Sequence, residues 1–365
     1  MDNFENIKVI AFYLPQFHSF KENDAWWGKG FTEWSNVCKA KPLFRNHYQP
    51  KLPADLGFYD LRVPETREAQ AALAKEAGIY GFCYWHYWFN GHELMERPFY
   101  EVVQSGKPDF PYCIGWANES WYSKMWNKDG TTSITHSKLL IEQTYSIDDD
   151  IRHFNKLLPI FKSSRYIKID GAPLVFIHRA KLLPQHVIDT WNELAQRNGL
   201  PGIHFVGRIT KDSTYEELKE KGFNAVTFGR LGDSVFYESK VQKICRKWIN
   251  LVFRHGCNVV DYSRDMIYYT DPETDVREDV YPAIYPNWDH SPRSGKRSLI
   301  LNNCTPELFS KHVKMVFDVV RHKKPNHQIC FLKSWNEWGE GNYIEPDIKY
   351  GRRYIDVLSK ILNSK

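Results

Sequence analysis

Ile79-Tyr80-Gly81-Phe82-Cys83-Tyr84-Trp85-His86-Tyr87-Trp88-Phe89 is apolar or aromatic at nearly every position. A half-exposed strand would alternate, and an amphipathic helix would repeat every three or four residues. An unbroken run fits a strand covered on both faces, as in a parallel sheet under helices. On its N-terminal side lies a helix opened by Pro64, with Ala69, Ala72, Leu73 and Ala77 on one face and Gly78 at its end. Before that comes a first strand, Lys8 to Leu14, closed by Pro15-Gln16-Phe17-His18. The loop between them holds Trp26, Trp27, Phe31, Trp34, Phe44, His47 and Tyr48. Disordered linkers seldom carry so many rings, so this loop is expected to fold over the face that carries Glu337.

On the C-terminal side the same alternation continues. Strands are expected at Tyr112 to Trp116, Pro173 to His178, Ile203 to Gly207, Ala225 to Phe228, Val280 to Tyr285 and Gln328 to Leu332. Pro282 weakens the seventh. Helices fall between them at Pro98 to Gln104, Ile151 to Phe161, Val187 to Arg197, Tyr215 to Lys221, from about Lys240, Thr305 to Val320, and Tyr350 to Leu362. Alternating strands and helices imply parallel strands with right-handed crossovers. Eight such units predict an α/β fold, a single (β/α)8 barrel over residues 1–365 with long aromatic loops. Length alone would also permit two domains. An open doubly wound sheet is the runner-up, but no GxGxxG follows a first strand.

The composition narrows the function. Aromatic residues make up 15% of the chain, and its 13 tryptophans exceed what a core needs, which favours a groove for an amphipathic ligand such as an oligosaccharide. The net charge of +5 is modest and dispersed, so no nucleic-acid partner is expected. One local basic run, Lys240 to Arg254, reads as a solvated helix face or as a face toward an anionic surface or glycan. The seven cysteines are odd in number, irregularly spaced and without a CxxC pair, so neither a disulfide framework nor a zinc site is indicated. The N-terminus has no basic segment followed by an apolar one, and no run is long enough for a membrane span. A cytoplasmic chain is expected, with peripheral association through a lipid-linked glycan left open.

The chemistry concentrates where the last strand ends, in Lys333-Ser334-Trp335-Asn336-Glu337-Trp338-Gly339-Glu340-Gly341. Two carboxylates three residues apart beside large rings suit glycosidic chemistry. One acid protonates the leaving oxygen and the other assists attack at the anomeric carbon, while the rings cover apolar sugar faces. The plainer reading makes the tryptophans core and the glutamates caps or ion-pair partners. In an extended segment the two acids would lie on the order of 10 Å apart, and in a helical turn roughly 5–6 Å at Cβ. Polar and aromatic residues also close other strands, and the expected sugar contacts are Tyr13, His18, Trp34, Trp85, His86, Trp116, Asn118, Glu119, Trp288, Asp289, Arg293, Trp335, Asn336 and Trp338. Glu119 is a rival for the main acid, though a binding or supporting role is favoured for it. His18, His86 and His290 read equally as wall residues. Asp148-Asp149-Asp150 contains the Asp-x-Asp of many nucleotide-sugar transferases, but at a helix start it reads as a cap. No metal-ligand spacing appears, and no cofactor is expected.

Several motifs together resemble one family. Ala11-Phe12-Tyr13-Leu14-Pro15-Gln16-Phe17-His18, Gly30-Phe31-Thr32-Glu33-Trp34, Tyr84-Trp85-His86-Tyr87-Trp88-Phe89, Trp116-Ala117-Asn118-Glu119 and Asn336-Glu337-Trp338-Gly339-Glu340-Gly341 resemble the WbsX-like proteins, known as glycosyltransferases of bacterial surface polysaccharides. These are similar to the endo-α-mannosidases of glycoside hydrolase family 99. The resemblance covers most of the chain and implies a (β/α)8 barrel with the Asn-Glu-Trp-x-Glu-Gly motif catalytic. It implies Glu337 as the base on a substrate 2-hydroxyl and Glu340 as the acid/base at the glycosidic oxygen, retaining through a 1,2-anhydro sugar. The stretch Pro286 to Arg293 departs from the mannosidases, so no particular sugar is implied. Three readings follow: a glycosidase or transglycosidase on a polysaccharide, a nucleotide-sugar-dependent transferase of lipopolysaccharide synthesis, and, less favoured, a non-catalytic glycan-binding protein.

Overall fold

The computed structural model of the chain describes residues 4–122 and 138–363. Eight parallel strands form its centre: β1 (Lys8–Tyr13), β2 (Gly81–Phe89), β3 (Tyr112–Trp116), β4 (Ala172–Ile177), β5 (His204–Ile209), β6 (Ala225–Phe228), β7 (Ala283–Ile284) and β8 (Ile329–Leu332). Each is followed by a helix: α1 (Pro64–Glu76), α2 (Arg97–Ser105), α3 (Ile147–Lys162), α4 (Gln185–Arg197), α5 (Tyr215–Glu220), α6 (Lys240–Phe253), α7 (Pro306–Val320) and α8 (Arg353–Leu362). The hydrogen-bonded order is β6-β5-β4-β3-β2-β1-β8-β7.

What turns this sheet into a barrel is the join between its two edges. Val226 of β6 bridges Val280, just before β7, in parallel. Val226 N donates to Asp279 O at 2.8 Å, and Tyr281 N donates back to Val226 O at 2.8 Å. The expected seventh strand therefore exists but narrows to two residues. Pro282 has no N–H for a ladder, so it contributes only its carbonyl, which accepts from Phe331 N at 2.9 Å. Closure excludes the open doubly wound alternative.

The barrel interior is filled by side chains. Phe12, Trp85, Phe176 and Phe331, from β1, β2, β4 and β8, form one ring layer, with Phe12 4.7 Å from both Trp85 and Phe176 and 5.3 Å from Phe331. Such pairs add about 0.5–1.5 kcal/mol each beyond their buried area. This layer is the floor on which the polar ends of the strands stand.

Two features were not anticipated. The chain adds a parallel pair from segments on either side of β7, Asn258–Asp261 before it with Leu299–Asn302 after it, over a small core of Phe44, Cys257, Val259 and Ile300. Its apolar runs are too short to read as strands. Helix α3 also starts earlier than expected, capped by Ser146, whose side chain accepts from Asp149 N. The acids 148–150 thus occupy its first turn, where they suit the helix dipole.

Candidate active site

A cavity of about 370 Å³ opens at the C-terminal ends of the strands. Successive strands deliver its wall: Trp85 and Tyr87 in β2, Glu119 beyond β3, His178 beyond β4, Arg208 in β5, Tyr285 beyond β7, and Lys333, Glu337 and Glu340 beyond β8. Trp121, Trp288 and Arg293 line it too.

The two glutamates meet because the chain folds back between them. Asn336–Glu337 pairs antiparallel with Asn342–Tyr343, and Trp338–Glu340 forms a single 3-10 turn. Gly341 sits at φ +52°, and a Cβ there would come within 2.8 Å of Asp289 Cβ, so the turn needs glycine. Asn336 bolts this hairpin to β1: its Oδ1 accepts from Leu14 N at 2.7 Å, and its Nδ2 donates to Leu14 O at 3.1 Å. The two carboxyl groups consequently stand close enough to act on each other's charge. The turn geometry, not the extended one, holds.

The pair is electrostatically lopsided. Burial, then the neighbouring charge of Glu340, pushes the Glu337 carboxyl up to about 8, although Trp85 Nε1 donates to its Oε1 at 2.6 Å. Burial alone would raise Glu340 as well. Arg293, followed by His290, outweighs it and holds Glu340 down to about 2. Arg293 Nη1 donates to Glu340 Oε1, while its Nε and Nη2 donate to Glu33 Oε1 at 3.0 and 2.8 Å. Two interacting carboxyls favour one shared proton, and Arg293 beside Glu340 biases it toward Glu337. This is the reverse of the charge distribution that a resting acid at Glu340 would need.

Glu33 is buried completely, and Gly339 explains how it fits. A Cβ on Gly339 would stand 1.6 Å from Glu33 Oε1, inside the carboxylate. Glu33 cannot withdraw, because Arg293 grips it from the cavity side. Gly339→Ala is therefore expected to destabilise the fold by about 1–3 kcal/mol, the usual cost of overpacking. A urea titration checks this; a variant as stable as the wild type would mean that the turn is not packed on Glu33.

Other expected sugar contacts prove to lie behind the wall. Tyr13 is buried, its hydroxyl donating to Gln70 Oε1 at 2.6 Å. Trp34 Nε1 donates to Tyr59 O at 2.8 Å, and Trp338 Nε1 donates to Glu345 Oε2 at 2.6 Å. Trp335, Trp116 and Asn336 are buried. Asn118 Nδ2 donates to Tyr145 Oη and Arg179 O at 3.0 and 3.2 Å. His18 Nδ1 is 3.0 Å from Pro15 O, and the His86 and His153 Nε2 atoms are 2.7 Å apart. Asp289 accepts from Gln49 Nε2 at 2.6 Å and Ser291 N at 3.0 Å and is 2.8 Å from His47 Nε2. These groups are buried behind the wall, most of them bonded to protein partners, so direct sugar contact is corrected to support of the wall. Trp85, Glu119, Trp288 and Arg293 do face the cavity with the glutamate pair. Trp26 packs 5.9 Å from the wall residue Trp121, so the aromatic loop covers this mouth as expected.

Several wall residues carry chemistry that the sequence reading passed over: Tyr87, His178, Arg208 and Lys333. Each stands at or just beyond the end of a barrel strand, the signal that singled out Glu119. Arg208 and Lys333 make no carboxylate contact within 4 Å among the described residues. Glu119 instead faces His178 and Arg179 at 3.7 and 3.8 Å, and burial raises its carboxyl. Of the acidic triplet, Asp149 accepts from Trp88 Nε1 at 2.9 Å and Asp150 is 2.6 Å from His186 Nδ1. No group of three or more His, Cys, Asp or Glu side chains suited to a metal ion occurs among the described residues.

Known proteins fit this architecture. Residues 9–358 match the family Glycosyltransferase WbsX. The WxcX proteins of two Xanthomonas campestris pv. campestris strains are each 33% identical over 367 aligned residues, 97% of this chain; the chain spans 49% of their length. A glycoside hydrolase-like protein superposes over 100% of this chain and 96% of its own, at TM-score 0.63 and 16% identity. The GH99 endo-alpha-mannosidase from Bacteroides thetaiotaomicron does so over 99% and 97%, at TM-score 0.58 and 12% identity. At such identities these structures speak to the fold, a (β/α)8 barrel.

Proposed function

The chain belongs to the WbsX glycosyltransferase family, a family of carbohydrate-active enzymes, and from that premise we propose that its cavity makes or breaks glycosidic bonds in a bacterial polysaccharide, with Glu337 and Glu340 as the reacting pair. One observation carries the reading: two neighbouring carboxyls, Glu340 held by Arg293 and Glu337 by Trp85, stand in an aromatic-walled cavity at the C-terminal end of a barrel.

Glu337 accepts the proton of a sugar 2-hydroxyl as that oxygen closes on the anomeric carbon. Glu340 gives a proton to the leaving oxygen. This leaves Glu337 protonated and Glu340 ionised, the charge distribution that Arg293 favours in the free site. In the second half Glu340 takes a proton from the incoming hydroxyl, and Glu337 returns its proton to the 2-oxygen. Water as the incoming group gives hydrolysis; a sugar hydroxyl gives transfer. Arg293 biases the free site toward the second half, and a glycan starting the first half must draw the shared proton to Glu340. Trp85 and Trp288 offer ring faces, and Glu119 supports the wall. A lipid-linked glycan is one form that the substrate could take.

The second reading, a nucleotide-sugar-dependent transferase, is favoured by Arg208 and Lys333, two wall residues with no carboxylate within 4 Å among the described residues, which suit a diphosphate. Calorimetric titration with nucleotide-linked sugars and magnesium separates the readings. No binding tighter than millimolar is expected; a clear titration would replace the glycosidase or transglycosidase reading with the second.

A further inference from the structure

Helix α6 is amphipathic, but it is mounted the wrong way round. Helical spacing puts Val241, Ile244, Trp248, Leu251 and Val252 on one face. In a globular protein that face turns inward. Here Val241 is 69% exposed, Ile244 67%, Trp248 57% and Leu251 69%, and none of the helix's apolar side chains belongs to either buried core cluster. The polar face does the docking. Asn250, the helix's buried residue, donates from Nδ2 to Val259 O at 3.1 Å. Arg246 Nε donates to Glu238 at 2.7 Å, and Arg254 Nη1 donates to Asn250 Oδ1 at 2.9 Å. Asn250, joined by Arg254 on the same Val259 carbonyl, therefore ties the helix to the parallel pair while its apolar stripe faces outward.

The charge identifies what covers that stripe. Between Lys240 and Arg254 there is no acidic residue. Lys240, Lys243 and Lys247 run down one border of the stripe, spaced three and four residues apart, and all are exposed. A core partner would meet three unpaired ammonium groups at its rim. An anionic lipid surface would pair them with headgroups, while Trp248 and Leu251 enter the acyl boundary and the lysine stems lie along it. Just upstream, Phe236 and Tyr237 are exposed as well. At ~1.5 Å per residue the helix is about 21 Å long, short of the ~30 Å hydrocarbon core, so it would lie in the interface. No helix among the described residues is long and apolar enough to cross a membrane.

We propose that α6 is an interfacial helix that seats this protein on anionic membrane surfaces through its outward apolar face and flanking lysines. The proposal rests on α6 alone and is independent of the chemistry in the cavity.

Sedimentation of the full chain with vesicles tests it. The wild type should sediment with phosphatidylethanolamine–phosphatidylglycerol vesicles, weakly with phosphatidylcholine vesicles, and less as salt rises. Lys243→Gln with Lys247→Gln should weaken binding to the anionic vesicles about thirtyfold and leave phosphatidylcholine binding unchanged. Trp248→Glu with Leu251→Glu should abolish binding to both; because these residues are exposed, its melting curve should match the wild type's. Equal binding to both vesicle types, or retention of binding by the Trp248/Leu251 variant, would overturn the proposal. So would a wild type that ignores vesicles yet self-associates in sedimentation velocity in a manner broken by Trp248→Glu, since the face would then meet a second copy.

Discussion

Arg293→Met is expected to destabilise the fold by about 3–5 kcal/mol, the cost of leaving a buried charge without its partner. Glu33 is wholly buried, and Arg293 reaches it through Nε and Nη2. The same guanidinium holds Glu340 ionised. Burial already raises the Glu33 carboxyl despite Arg293, so in the variant Glu33 should take up a proton. The sign of the pH dependence follows. An acid whose folded pKa lies above its unfolded value binds more protons when folded, so stability falls as pH rises between the two values. The deficit of Arg293→Met should therefore shrink in acid and grow toward neutral pH. Adding Glu33→Gln should restore part of the loss, because the buried Glu33 charge is then gone while Glu340 still lacks its guanidinium. Urea midpoints at two pH values read both effects. If Arg293→Met is as stable as the wild type, or if Glu33→Gln restores nothing, the buried pair does not hold the site together as described.

The barrel was legible because its strands are short continuous apolar runs separated by helices with caps and stops. β2 and β8 declare themselves in this way, and β7 needed the Val226–Val280 bridge before its role was clear. The parallel pair that flanks β7 in sequence was not legible, since Asn-Val-Val-Asp and Leu-Ile-Leu-Asn each carry too little apolar sequence to stand out. At the site, the glutamate pair was visible from the motif, but its separation was not, because Gly339 and Gly341 permit several geometries. Which tryptophans face the cavity was equally hidden. Trp335 and Trp338 flank Glu337 in sequence, yet the hairpin turns both inward, Trp338 stacking on Tyr343 at 3.7 Å. Glu345 shows why. It accepts hydrogen bonds from Trp338, Tyr59 and Gln70, and such a hub is assembled from segments nearly three hundred residues apart. Glu33 escaped notice for a similar reason: a glutamate in Thr32-Glu33-Trp34 reads as solvated until Arg293 and Gly339 are seen against it.

Helix α6 and the cavity raise separate questions, and the cavity's is answered by how its two acids divide the work. A proton donor to the leaving oxygen matters most when the leaving group is poor, whereas an activated aryl group departs as a stable anion. Assistance at the anomeric carbon is needed whatever leaves. The direct measurement is turnover of Glu337→Gln and Glu340→Gln on a natural glycan and on an aryl glycoside of the same sugar. Loss of either group should cost ~10²–10⁴-fold on the glycan. Glu340→Gln should regain most of its activity on the aryl glycoside, and Glu337→Gln should stay slow on both. Rescue of Glu337→Gln instead would reverse the two roles. If neither change slows turnover while Glu119→Gln does, the pair at the end of β8 is not the catalytic pair.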